Sequence, residues 1–292
     1  MSVYNISGTE LQAVYNIGGE LLNQAFDIVG NELLSGVPEY QMSVLHSESI
    51  STGQSAQGMA VYGDYIFQFF TGINKMNVYS LLDYSYITEF SCTVIGHGNN
   101  LQFGDTVQAN GFPLLYASDA GQTAGDNQVI YVVSIDLNGC ALIDTITLPS
   151  SAGYFLNSVI DFDERIIYTV GYSLNDHEDQ TGMTVITAID LDDPTTVIDT
   201  WQYNYLGVIQ GVVLHNDYIV VNCSTWNVAG FTLYFINRRT KALDSTQAFY
   251  KEADAETQGF AFIRNHYLVS KWVYRTVSGT RTLFYEFLSV HP

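Results

Sequence analysis

Residues 57–67 read QGMAVYGDYIF, and two later stretches restate them: QGVVLHNDYIV from Gln210 and QGFAFIRNHYLV from Gln258. Each opens on Gln-Gly, runs through apolar residues in rough alternation, turns on small or polar residues and resumes with an aromatic-aliphatic group such as Tyr65-Ile66-Phe67. That order spells a strand, a tight turn and a second strand. Weaker copies lie between them: NNLQFGD from Asn99, with an insertion before PLLYAS, and NSVIDFDERIIYTV from Asn157. The starts at Gln57, Asn99, Asn157, Gln210 and Gln258 are 42, 58, 53 and 48 residues apart. A several-stranded unit recurring every 40 to 50 residues or so is the mark of propeller blades.

A blade needs four antiparallel strands, and the echoes supply two. KMNVYSLLD and SYITEFSCTVI complete the first unit, QVIYVVSIDL and CALIDTITLP the second, MTVITAIDL and TTVIDTWQY the third, FTLYFINRR and ALDSTQAFY the fourth. The fifth offers only QGFAFIR, HYLVSKWVY and RTLFYEFLSV before residue 292. YQMSVLHSE, just ahead of the first unit, has the alternation to provide the missing strand by pairing with Phe284 to Val290. Such closure protects two sheet edges. The expectation is an all-β, five-bladed β-propeller over residues 39–292, closed by an N-terminal strand.

The first strand of a blade is innermost, so Gln57, Asn99, Asn157, Gln210 and Gln258 are expected to form a ring of amides near the axis. Gly or Ser follows four of them, as crowding near the axis requires, and Asn100 is the exception. The ring admits two readings: amides that cross-bond the blades and satisfy buried backbone groups, or polar groups lining an axial mouth that accepts a ligand.

Residues 4–34 hold a second repeat, YNISGTEL, YNIGGELL and FDIVGNEL, in which Tyr4, Tyr15 and Phe26 recur every eleven residues, as do Gly8, Gly19 and Gly30. An eleven-residue period suits a right-handed coiled coil, but each interior glycine costs a helix about 1 kcal/mol, which favours short strands and turns. So few apolar residues build no core alone. Residues 1–38 are therefore expected to pack on a partner or on copies of themselves, a flexible tail being the plain alternative.

Composition narrows the partners. Ten Lys and Arg against 30 Asp and Glu give a formal charge of −20, which repels a phosphate backbone and an anionic membrane surface. Nucleic acid is not expected as a partner, nor is membrane insertion, since no apolar run approaches the length of a span. MSVYNISGTELQ carries no recognisable export signal. Cys92, Cys140 and Cys223 are odd in number and dispersed, without CxxC spacing, so neither a disulfide framework nor a zinc site is expected. They read as buried small hydrophobes.

Chemistry-bearing residues are sparse. Glycoside hydrolysis needs paired carboxylates. The best pair on an inner strand, Asp161 and Asp163, shares one strand face without an evident third acid, so a solvated turn is the preferred reading. Asp64 and Asp217 fall in turns. His97, in GHGNNLQFG, has glycines on both sides and just precedes an inner strand, as a structural histidine or as a ligand contact. NDHEDQ around His177 clusters Asp176, Glu178 and Asp179 but lacks the spacing of an EF-hand loop. No triad, P-loop or dinucleotide fingerprint is present, and no cofactor or metal is expected.

The QG-x-A inner strands, the GHG opening of the second unit and the count of five resemble the propeller of teichoic acid biosynthesis protein C and of phage receptor-binding proteins. YNISGTELQAVYNIGGELL resembles the starts of tail-associated proteins of phages and prophages of gut bacteria. The resemblance spans residues 39–292 and implies a phage tail or other virion module carried on an oligomeric stem, a trimer above all, that attaches to other tail proteins through its N-terminal segment and binds host-surface glycan. For a binding module the axial mouth offers His97, Asn99, Asn100, Gln57, Gln210 and Gln258 as site residues, and aromatics such as Trp201, Trp226 and Trp272 with amides and no acid pair favour binding over cleavage. The acidity of the chain departs from a family that binds anionic wall polymers and favours neutral or zwitterionic glycans. The alternatives are a glycan-cleaving propeller enzyme, a structural virion component without a ligand, or a soluble bacterial protein.

Overall fold

The computed structural model describes residues 3–4, 10–11, 42–50, 55–119, 128–173, 182–225, 228–263, 266–278 and 280–290. The chain divides into two units, residues 1–41 with Pro292 and residues 42–291. In the first, Val3–Tyr4 and Glu10–Leu11 form an antiparallel pair; the rest of the eleven-residue repeat lies outside the described residues.

The second unit is a five-bladed β-propeller of antiparallel four-stranded sheets. Blade one comprises Ser55–Tyr62, Tyr65–Thr71, Lys75–Ser80 and Tyr86–Ser91. Blade two comprises Asn100–Val107, Pro113–Asp119, Val129–Ile135 and Cys140–Thr147. Blade three comprises Tyr154–Asp161, Ile166–Tyr172, Thr184–Asp190 and Val197–Tyr203. Blade four comprises Ile209–His215, Tyr218–Ser224, Phe231–Asn237 and Leu243–Phe249. Blade five takes Ala255–Ile263, His266–Val277 and Thr280–Val290 from the C-terminal side and Met42–Ile50 from the N-terminal side. The first strand of each blade packs against those of its neighbours, the fifth against the first.

Burial follows that order outward. Phe67, Phe69 and Phe70 on the second strand of blade one are fully buried, each stabilising the fold by roughly 1.5–3 kcal/mol, whereas the outer strand Val197–Tyr203 alternates half-buried and exposed. Two-residue turns join inner to second strands where the chain can turn left-handed: Gly63 (φ 58°) between Tyr62 and Tyr65, and Asn216 (φ 53°) between His215 and Tyr218.

The closing strand pairs as the sequence predicts, from Met42 opposite Val290 to Ile50 opposite Leu283. Side chains reinforce the ladder. Ser47 Oγ donates to Glu286 at 3.0 Å, and Tyr79 of blade one donates its hydroxyl to Glu48 at 2.7 Å. Glu286 is 1% exposed and owes its tolerance of burial to Lys271 at 2.8 Å and to Arg275.

The cysteine expectation is corrected in part. Cys92, just beyond the fourth strand of blade one, and Cys140, which opens the fourth strand of blade two, form a disulfide with Cα atoms 6.0 Å apart. The 48 residues separating them conceal the pairing, because a blade repeat returns the chain to the adjoining sheet. Cys223 is a buried free thiol.

Candidate functional site

Counting each inner strand from its amide, level zero holds Gln57, Asn99, Asn157, Gln210 and Gln258, and level one holds Gly58, Asn100, Ser158, Gly211 and Gly259. Equivalent levels meet across neighbouring blades, so the five strands run the same way about the axis. The glycines exist for that approach. Gly58 N–H donates to Gly98 O of the GHG segment at 2.7 Å, and a Cβ on Gly58 would lie 2.8 Å from Leu101 Cγ. A Cβ on Gly211 would fall 2.7 Å from Phe260 Cβ, and one on Gly259 would overlap Met59 Cβ and come within 2.9 Å of Gln57 O.

Asn100, the residue that breaks the small-residue rule, closes the axis. Its Nδ2 donates to Ser158 O at 2.8 Å and Val212 O at 2.9 Å, while its Oδ1 accepts from Val212 N–H at 3.2 Å. One amide thus holds blades two, three and four together, and it is 2% exposed.

The inner ladders lose register around levels zero and one in blades one, four and five and just ahead of level zero in blade three, and buried polar residues on second strands bond backbone groups there. Gln68 Nε2 donates to Gln57 O at 2.8 Å and Gly58 O at 3.2 Å, and Ser270 Oγ accepts from Gly259 N–H at 2.8 Å. Ser118 Oγ accepts from Ser158 N–H at 3.0 Å across blades. Sequence reasoning missed these groups, because a Gln or Ser within an apolar strand carries no period.

The amides of level zero differ in what they do. Gln210 Nε2 donates to Ser224 O at 3.1 Å and to Glu256 Oε1 at 2.7 Å. Gln57 Nε2 reaches Ser55 Oγ at 3.2 Å, and Gln258 hydrogen-bonds the Glu256 carboxyl. Asn99 and Asn157 each keep a buried side-chain oxygen without a hydrogen-bond partner. Glu256, two residues ahead of Gln258 on the same strand face, was not singled out by sequence reasoning. Burial pushes its carboxyl up to about 7, against the pull of Gln258, Lys251 and Gln210.

Beside it lies Lys251, fully buried, its ammonium donating to Ala255 O at 2.7 Å, Val228 O at 2.5 Å and Thr225 O at 3.1 Å. Burial lowers its pKa. Three carbonyls around one ammonium hold the loop after the second strand of blade four against blade five. That loop forms one wall of a ≈ 410 Å³ cavity whose lining includes Ser224, Thr225, Thr232, Phe249 and Tyr250. Tyr250 is 71% exposed.

His97 is half-buried, and burial lowers its pKa while Asp119 pulls the other way. Its flanking glycines serve the backbone: a Cβ at Gly96 would overlap the Asp119 carboxylate, and Gly98 has φ 63° beneath Phe69. Asp161 is bound by Arg238 and by the Glu164 N–H at 3.0 Å. Burial opposes ionisation of Asp161, but those bonds hold its pKa below the ordinary value. Trp201 lies on the outer strand of blade three against Tyr168 and Lys241, away from the amides, and Trp272 on the second strand of blade five. Trp226 and the NDHEDQ loop lie outside the described residues.

The cations are spoken for. Ten Lys and Arg occur, Arg264 outside the described residues; eight of the other nine sit in ion pairs with carboxylates, and the ninth is Lys251. Among the described residues no cluster of three His, Cys, Asp or Glu is placed to hold a metal, and no helix is long and apolar enough to cross a membrane.

No family model and no curated protein matches the chain. Similar solved structures include Kuenenia stuttgartiensis hydrazine synthase, at 12% identity and TM-score 0.43 over 75% of this chain and 64% of that one. Myxococcus xanthus glutaminyl cyclase is similar at 11% and 0.49, over 86% of this chain and 97% of that one. The PQQ-bound aldose sugar dehydrogenase of Streptomyces coelicolor is similar at 11% and 0.48, over 88% of this chain and all of that one. The likeness is one of chain path, and the activities in those names stay with those proteins.

Proposed function

We propose that the protein is a surface-recognition module of the phage-tail kind, whose propeller binds a neutral or zwitterionic host-surface glycan at the amide end of the axis. The observation that carries this reading is the pairing, in one cavity beside that end, of the exposed Tyr250 ring, next to the buried Phe249, with the half-buried hydroxyl residues Thr225 and Thr232. Sugar recognition asks for ring faces and fixed polar groups together. Gln210, itself buried, joins the cavity wall at Ser224 to Glu256, and the half-buried His97 and Asn99 extend the polar surface over the buried Gln57 and Gln258; Asn100 supports it from below. Eight of the nine described Lys and Arg are paired with carboxylates and the ninth, Lys251, is buried with its ammonium on three carbonyls, so among the described residues no exposed, unpaired cation is offered to an anionic polymer.

Binding to a glycan array, with Tyr250→Ala and Gln210→Ala as variants, tests the reading. Each substitution is expected to weaken attachment by roughly 1–3 kcal/mol, the scale of a lost hydrogen-bond or stacking partner. Wild-type binding by both variants would sink it. A second reading, glycan cleavage, has one observation in its favour: the carboxyl of Glu256, held near 7 on an inner strand, suits a general acid. If purified protein releases sugar and Glu256→Gln abolishes the release, the enzyme reading replaces the binding one.

The segment over residues 1–38 is proposed as the attachment and oligomerisation element, most simply of a trimer. Full-length protein should then sediment as an oligomer and protein lacking residues 1–34 as a monomer. Equal mass per particle for both refutes it.

A further inference from the structure

Beyond the Asn100 bridge, levels two to four of the inner strands of blades two, four and five, with Ala60 and Val61 of blade one and Val159 of blade three, line a second cavity of ≈ 220 Å³. We propose that this well is a second binding site, taking a small arylalkyl ammonium ion: the ring enters the apolar well and the ammonium stays at the acidic rim.

Size and chemistry of the lining select the ring. A dry cavity of about 150 Å³ lined by aliphatic and aromatic groups takes up benzene, so this one accommodates one ring with a short tail. Val61, Phe103, Leu214 and Phe262 form its level-four layer, above Val159 and Phe260. Its polar neighbours are already satisfied. The Asn100 amide is shared between Ser158 and Val212. Gln102, the polar lining residue, donates to Ile160 O at 2.8 Å and accepts from Ile160 N–H at 2.7 Å. Eleven of the twelve lining side chains are apolar, and the polar surface of the well comes chiefly from the backbone.

The rim is preformed. Phe262 stacks on His215 with centroids 3.8 Å apart, and His215 Nδ1 is 2.7 Å from the Tyr267 hydroxyl. Phe103 is wedged between Phe67 at 5.2 Å and Tyr62 at 5.5 Å. Fixed rings lose little freedom on binding, and their faces attract a cation. Burial lowers the pKa of His215.

Charge selects the ammonium. The turns that continue from this layer carry Asp64, Asp105 and Asp163, exposed and outside the ion pairs, and Asp217, paired with Arg239; the turn of blade five carries Arg264, outside the described residues. Arg165, Arg238 and Arg239, near the turns of blades three and four, are each paired with carboxylates. Three unpaired acids against the single Arg264 leave the turns net negative, which favours a cation over an anion.

The experiment titrates the full-length protein with 2-phenylethylammonium, 2-phenylethanol and phenylacetate, following the ligands by calorimetry or saturation-transfer NMR. Saturable binding of the ammonium ion is expected, with phenylacetate weaker by about tenfold or more. Leu214→Trp, which fills the well, should abolish binding of all three ligands; Val61→Phe serves the same purpose if the first variant melts abnormally. Replacing Asp64, Asp105 and Asp163 together by Asn should bring the ammonium ion down to the affinity of the alcohol. No saturable ammonium binding, or binding unaffected by a folded well-filling variant, overturns the proposal. Equal affinity for phenylacetate and the ammonium ion overturns the choice of cation.

Discussion

The two ends of the propeller axis are made by the same five strands and differ in side-chain size. At levels zero and one, Gly58, Ser158, Gly211 and Gly259 let the strands converge until backbone meets backbone, and Asn100 fills what space remains. One level on, at level two, large residues follow, Leu101, Val159, Val212 and Phe260, the strands splay, and a well opens. Small and large residues alternating along an inner strand thus set a taper. The converged end is polar because its ladders are interrupted and backbone groups need side-chain partners; the splayed end keeps its ladders except in blade two, which loses register beyond Phe103, and can be apolar.

The contrast presupposes a closed ring, and breaking the ring has the largest effect. Deleting residues 39–48 removes the pairs from Met42 to Glu48 and uncovers the edge of Thr280–Val290. Cooperative unfolding in urea should disappear, a loss comparable to the whole stability of a domain, roughly 5–15 kcal/mol. A sharp, unshifted transition would refute the closure.

Next is the convergent end itself. Asn100→Ala strips Ser158 O, Val212 O and Val212 N–H of their partner, and each buried group left unmade costs about 1–3 kcal/mol, partly recovered by water. A net loss of about 2–4 kcal/mol in the urea midpoint at unchanged slope is expected. A loss below about 1 kcal/mol would mean that the amide does not hold the blades.

Glu256 gives the converged end a pH signature. Its carboxyl is raised from 4.5 to about 7 by burial, so between those values the folded protein keeps a proton that the unfolded chain has released. Its contribution is fully present below 4.5, falls as pH rises through 7 and is then gone. Glu256→Gln should therefore stabilise the protein by about 1–3 kcal/mol above pH 7 and little below pH 4.5. Glu252 works in the opposite sense. Burial would raise it, but bonds from Arg275 and Lys271 hold it at about 2, so its contribution is present above 4.5 and lost as pH falls towards 2. Melting temperatures of wild type and Glu256→Gln that run parallel from pH 4 to pH 8 would remove Glu256 from this account.

How much of this was legible in the sequence follows from what repeats. Alternation and the Gln-Gly echo gave the blade count and the closing strand, because period-two patterns and a recurring motif survive without contacts. The disulfide did not show, since Cys92 and Cys140 become neighbours only once two blades stand side by side. Glu256 and Lys251 lie just outside the echo, and their environment comes from blade four. The well was invisible for a different reason: Phe103, Leu214 and Phe262 read as ordinary core, and nothing in a hydrophobic residue announces that its neighbour across the axis is too far away to touch.

The smallest effect belongs to the splayed end and is the most direct measure of the contrast. Val61 is half-buried at the rim of the well, so Val61→Ala removes methyl groups from a site already short of neighbours, and no new enclosed cavity follows. About 1 kcal/mol or less is expected from the lost burial. Gly259→Ala changes less volume in the opposite direction at the converged end, yet its added methyl overlaps Met59 and approaches Gln57 O, and overpacking of that kind costs about 1–3 kcal/mol. Thermal melts of the two variants side by side should rank Gly259→Ala as the more damaging. If Val61→Ala proves the worse, the well is a packed part of the core and the taper is wrong.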